Sequence, residues 1–218
     1  RQLQSILVLL DTHMRLDASQ LAPLLEGLLR RLMYVSAQDH EASQTLSKQL
    51  NAVVLRILSM SHGDDVYQAL FSLLVSTTAD VAAGDQAQLA ELVVKCLWKV
   101  ARKLPAALEA KQVHAEALLR SVEGFFEAIP PSEWAQRAQK HVPLRDIPLI
   151  TATNVLKQLT DTLGEGALAA TDAWTEPEKT HVYRYLLRLL HGPSPPPAAD
   201  APSSPPPPAP SPAPPAAS

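Results

Sequence analysis

Cysteine is nearly missing from this chain of 218 residues. Cys96 stands alone, so no disulfide can form within the chain, and an intracellular compartment is expected. No apolar run approaches the roughly 20 residues that a membrane-spanning helix needs. The opening stretch RQLQSILVLLDTHMRLD is too broken by charge for a signal peptide, and the lack of a first Met suggests a piece of a longer protein. Charge of one sign is also lacking. The net charge of −3 sets up no global field for nucleic acid or acidic lipid, so neither is expected as a partner. Alternation with period two is missing over any useful length, and strands are therefore not expected.

Catalytic and ligand signatures are equally sparse. The seven histidines show neither HxxxH nor HExxH spacing, and one cysteine builds no zinc framework, so no metal site is expected. Gly164-Glu-Gly166-Ala-Leu-Ala169 matches GxGxxA on paper. It follows a helical pattern where a phosphate cradle needs a strand, so it reads as a helix cap and no nucleotide cofactor is expected. Asp64-Asp65-Val-Tyr-Gln68 resembles the DDxxD of all-α diphosphate enzymes, but Gln68 removes the third carboxylate. Two aspartates at a helix start read as a cap with a favourable dipole interaction. No nucleophile motif is present, and Cys96 lies on an apolar helix face. The chain reads as a non-enzyme.

What the sequence does contain is helical periodicity. Glu91 to Pro105, ELVVKCLWKVARKLP, places Leu89, Val93, Cys96, Val100 and Leu104 on one stripe and Val94, Trp98 and Ala101 on another. Such a helix needs neighbours on both sides, and Pro105 is expected to end it. Further helices are expected over about 3–16, from Asp17 or Ser19 to Val35, and over 42–60, 66–81, 112–128 and 146–163. The Thr175-Glu-Pro-Glu178 capping box predicts a last helix over about 176–190. One or two further turns over 132–139 are anchored by Trp134. The pair starts near 42 and 85 are separated by a HEAT- or armadillo-like interval, roughly 40–47 residues.

The expected fold is thus all-α, a HEAT/armadillo-like stack of antiparallel helix pairs, with a compact orthogonal bundle as second choice. The expected division is an N-terminal helix pair over 1–41, either part of the same stack or separate from it, a helical-repeat domain over 42–192, and a disordered Pro/Ala/Ser-rich tail over 193–218. The tail holds 13 of the 20 prolines and too little apolar surface to fold. Pro205 to Pro208 favour polyproline II, but no flanking Arg or Lys orients an SH3- or WW-type domain, so the tail reads as a solvated linker.

Candidate core anchors are Trp98, Cys96, Phe125, Phe126 and Leu156, with Trp134 also inward; Trp174 is expected at a surface. The polar ridge of the Glu91–Pro105 helix leaves a basic cluster, Lys95, Lys99, Arg102 and Lys103. This is the best candidate for a partner contact, although exposed helix edges are commonly charged without one.

Several ordered blocks carry a family likeness. ELVVKCLWKVARKLP followed by LLRSVEGFFEAIP, with LNAVVLRILSMSHGDDVYQALFSLL upstream and HVPLRDIPLITATNVLKQLTDTLG and TEPEKTHVYRYLLRLLH downstream, resembles the C-terminal helical segment of the ch-TOG / Mini spindles family of microtubule polymerases. The likeness spans about Gln49 to His191. It implies a degenerate TOG-like HEAT module in a microtubule-associated protein that promotes plus-end growth and spindle assembly. It also implies recruitment of a TACC-type coiled-coil adaptor at centrosomes and spindle poles, within the cytoplasmic cytoskeleton. Microtubules and tubulin would be partners of the full-length protein. The loop Trp and basic residues with which true TOG domains hold tubulin have no match here, and the turns Ser61–Asp65 and Ala82–Asp85 are acidic or neutral. The alternative is a general HEAT/armadillo scaffold or transport adaptor unrelated to microtubules.

Overall fold

The structure, a computed structural model, describes residues 16–38, 40–78, 84–140 and 142–192. The helix expected over 3–16 and the tail from Pro193 lie outside these residues. Ten α-helices and one 3-10 turn follow one another, with no strand among the described residues: α1 (Ala18–Ser36), α2 (Glu41–Met60), α3 (Gly63–Thr78), α4 (Asp85–Ala101), α5 (Leu104–Glu109), α6 (Ala115–Ala128), α7 (Pro131–Gln139), α8 (Ile147–Leu163), α9 (Gly166–Ala169), the 3-10 turn Pro177–Lys179 and α10 (His181–His191).

Local chemistry sets most boundaries. Asp17, rather than Ser19, caps α1: its carboxylate accepts the Gln20 N–H at 3.0 Å and the Ser19 hydroxyl at 2.6 Å. The Ser19 hydroxyl and then the Gln20 amide hold the Asp17 pKa below its ordinary value. Pro23, expected in the first turn, instead lies inside α1, beyond that turn, where its missing N–H leaves one intrahelical bond unmade, and Gly164, at φ +55°, closes α8. Pro105 does not end α4. That helix stops at Ala101, and Pro105 instead occupies the first turn of the short α5, where its missing N–H leaves no bond unmade. Nor does the capping box at Thr175 start the last helix. Glu176 adopts a left-handed conformation, and α10 begins at His181 under a Thr180 cap that accepts the Tyr183 N–H at 3.2 Å.

The reason for that later start is tertiary. Glu123 of α6, 7% exposed, accepts the His181 and Val182 amides at 2.9 and 2.7 Å. Two otherwise orphaned donors of α10 are thereby satisfied from another helix.

The helices share one main core. α3 lies at its centre, packed against α1, α4 and α6, while α4 packs on α1, α3 and α8. After Asp64 and Asp65 the α3 sequence carries no charge, so every face can be covered, whereas α4 keeps a charged ridge. Leu21, Leu25 and Leu29 of α1 join the same core as Leu118 and Leu156. On the other side, Phe125 meets Phe71, Phe126 and Trp134 with ring centroids 6.0, 5.7 and 5.7 Å away. Trp134 anchors α7, donating its indole N–H to the Ile129 carbonyl at 3.2 Å. Arg137 then lies over the Trp134 ring and donates to the Thr78 carbonyl at the end of α3. A cation at that helix end is electrostatically favourable. Among the described residues no helix is long and apolar enough to cross a membrane.

Candidate functional site

The C-terminal end of α2, the first turns of α3, the end of α4 and α5 converge on a groove of about 760 Å³. Leu58, Val66, Tyr67, Val100 and Val113 supply much of its apolar lining, and Lys99 and Lys103 bring positive charge to it. The groove follows from the break at Ala101. Because α4 stops there and α5 turns away at Leu104, the two lysines one helical turn apart stand beside the apolar ends of α2 and α3 instead of continuing a covered helix.

The four residues of the predicted basic cluster therefore divide. Lys99 and Lys103 face the groove and have no ion-pair partner among the described residues. Lys95 pairs with Glu91 at 2.7 Å on the exposed face of α4, an arrangement worth little in water. Arg102, exposed just beyond the helix, does not line the groove.

Of the residues expected to anchor the core, Cys96, Phe125, Phe126 and Leu156 are buried. Trp98 is not a core anchor: it is 43% exposed, and its indole N–H donates to the Thr151 hydroxyl at 3.0 Å. An apolar periodicity counts the whole indole as buried surface, but the ring has a polar edge that α8 can hold at the rim. Trp174 differs in the opposite sense. It is 9% exposed rather than a surface residue, and the Arg120 guanidinium lies 5.1 Å from its ring, covering the face that periodicity leaves open.

Burial pushes the Cys96 thiol pKa up to about 11, so the reactive thiolate is scarce near neutrality. A thiol-alkylating reagent at pH 8 is expected to label the native protein at least about 10-fold more slowly than the denatured chain, as followed by intact mass. The folded value lies above the ordinary 9.0, so this contribution to stability is complete below pH 9 and is lost as pH rises through about 11. Burial raises the Tyr67 pKa by the same cause, and its hydroxyl finds no hydrogen-bond partner among the described residues.

The two adjacent aspartates at the start of α3 reach beyond their own helix. Asp65 accepts the Ala18 amide at 3.2 Å, and Asp64 accepts the His114 amide at 2.8 Å. Asp64 also faces the imidazoles of His62 and His114. Sequence reasoning places both carboxylates at a helix start but offers no signal for His114, 50 residues away. The diphosphate-enzyme pattern is thus taken up by contacts between helix ends, and Gly164–Ala169 consists of a helix cap followed by the short α9.

No family model matches the chain, and no solved structure matches it.

Proposed function

We propose that this chain is a non-catalytic protein-interaction domain of a microtubule-associated polymerase, a degenerate TOG-like HEAT stack that docks an adaptor. The observation that carries the docking role is the groove. It offers apolar surface from three helices beside two lysines that have no acidic partner among the described residues, and this combination suits an amphipathic helix with acidic residues along one edge. The ordered blocks between Gln49 and His191 supply the family. Within that family the fitting occupant is a TACC-type coiled coil, whose recruitment would place the protein at centrosomes and spindle poles. Tubulin binding then belongs to other parts of the full-length protein.

Titration with a TACC-type coiled coil by calorimetry tests this reading. Reversing both groove charges, Lys99→Glu with Lys103→Glu, is expected to weaken binding by about 10-fold or more and to flatten its salt dependence. Lys95→Glu, on the exposed face already neutralised by Glu91, changes affinity by less than about 3-fold. Failure to bind by both this chain and one extended at its C-terminus would remove the adaptor role. Equal effects of the Lys95 and Lys99/Lys103 reversals would remove the groove as the docking surface.

A further inference from the structure

Two imidazoles far apart in the sequence meet over one carboxylate. His114 Nδ1 lies 2.6 Å from Asp64 Oδ2, and His62 Nδ1 lies 3.7 Å from the same oxygen. The rings are nearly parallel, at 19°, with centroids 6.0 Å apart, and one donor atom from each of the three residues falls within 4.8 Å of the others. The second carboxylate oxygen is engaged elsewhere: Oδ1 accepts the His114 backbone N–H at 2.8 Å. That bond fixes the carboxylate plane and presents Oδ2 to both rings.

The backbone is shaped to bring these residues together. A Cβ on Gly63 would lie 2.6 Å from the Gln112 carbonyl oxygen and 2.4 Å from Val113 Cγ2, so only glycine allows the two loops to touch at this point. His62 precedes α3, Asp64 lies in its first turn, and His114 immediately precedes α6. The three side chains are thus set by the ends of two helices that pack on each other within the core.

We propose that His62, Asp64 and His114 form a site for a divalent transition-metal ion, zinc by its ligand chemistry, which pins the α2–α3 loop to the α5–α6 loop. Imidazole nitrogen and carboxylate oxygen bind zinc at about 2.0–2.2 Å, which for a tetrahedral ion separates donor atoms by roughly 3.3 Å. The distances of 2.6 and 3.7 Å straddle that value, so small rotations of the two imidazoles accommodate the ion. The hydrogen bond to Oδ1 is the kind of outer contact that orients a metal ligand. The His114 side chain is 62% exposed, leaving a solvent side for a fourth, water ligand. Two nitrogen donors and a single carboxylate select an imidazole-seeking ion over calcium or magnesium, which require more oxygens. The positive ends of α3 and α6 oppose a cation, and the Asp64 charge offsets them. The site borders the groove, since His62 also lines it, but none of its three ligands belongs to the lysine pair whose reversal tests the adaptor reading.

The test uses tag-free, chelator-stripped protein titrated with zinc by calorimetry, and with cobalt(II) followed by visible absorption. Expected are one zinc per chain, tetrahedral cobalt bands, and a melting temperature several degrees higher at saturating zinc. His62→Gln and His114→Gln each lower zinc affinity by about 100-fold, and Asp64→Asn by at least about 10-fold, with helical circular dichroism unchanged. His191→Gln, which removes the separate His191–Glu165 pair at 3.8 Å, leaves zinc binding intact. No zinc uptake by the unmodified chain, or uptake that survives His62→Gln combined with His114→Gln, overturns the proposal.

Discussion

Phe125→Ala is expected to destabilise the fold by about 3–5 kcal/mol. The ring is 1% exposed and sits among Phe71, Phe126 and Trp134, contributed by α3, α6 and α7. Removing it opens a cavity bounded by three other large rings, none of which can collapse inward without leaving its own packing. The loss combines burial, dispersion and the aromatic pair geometry, tilted against Phe71 and Phe126 and stacked against Trp134. Phe125→Leu keeps most of the volume and should cost about 1–2 kcal/mol. Urea denaturation checks both variants: the midpoint falls while the slope stays constant. A Phe125→Ala loss below about 1.5 kcal/mol would show that the cluster relaxes around the void and is not a rigid core.

The second large effect is polar. Glu123→Ala should cost about 2–4 kcal/mol, because the His181 and Val182 amides lose a charged acceptor at the positive end of α10. Glu123→Gln retains one carbonyl oxygen and presents a donor to the other amide, so about half of that loss is expected. The two substitutions separate hydrogen bonding from side-chain volume. Hydrogen exchange gives the local readout: amides at the start of α10 lose protection in Glu123→Ala before those of α3. A stability change under about 1 kcal/mol would mean that water satisfies the two amides once the carboxylate is gone.

Helices whose ends are decided by their own residues were legible in the sequence. Asp17 and Gly164 act through bonds a few residues away, and the Leu118, Val122, Phe125 and Phe126 spacing defines the inward face of α6 whatever lies opposite. The all-helical character rests on the same local patterns. The elements that differed were those decided by a distant partner. Thr175–Glu178 has the residues of a capping box, yet α10 starts at His181, where Thr180 accepts the Tyr183 N–H and Glu123, 58 residues before His181, accepts the first two amides. Pro105 is compatible both with ending one helix and with starting another. Trp98 fits an apolar stripe and still lies at the rim.

The candidate groove was partly legible. Lys99 follows from the charged ridge of α4 and Lys103 from the basic residues just after it, but their separation from Lys95 and Arg102 depends on where α5 turns away. The central position of α3 was available in the uncharged run after Asp65, although the more prominent stripes of α4 draw attention first. Nothing in the spacing of the histidines brings His62 and His114 to one carboxylate, because that meeting depends on how the α5–α6 loop returns to the start of α3.

The adjacent aspartates of α3 also bear on how the chain finds its fold. Asp65 bonds Ala18, 47 residues back, and Asp64 bonds His114, 50 residues ahead. Each contact requires a long loop to close before it contributes anything, with an entropy cost that grows only slowly with loop length. Two neighbouring side chains therefore register an early segment and a late one against the same helical turn. A chain emerging in order can pair α1 with α2 as soon as both exist, but the start of α3 stays half-secured until residue 114 has arrived. Contacts of such separation raise contact order, and higher contact order goes with slower folding. The turn that gathers the ends of three helices is thus also a place where assembly waits for the second half of the sequence.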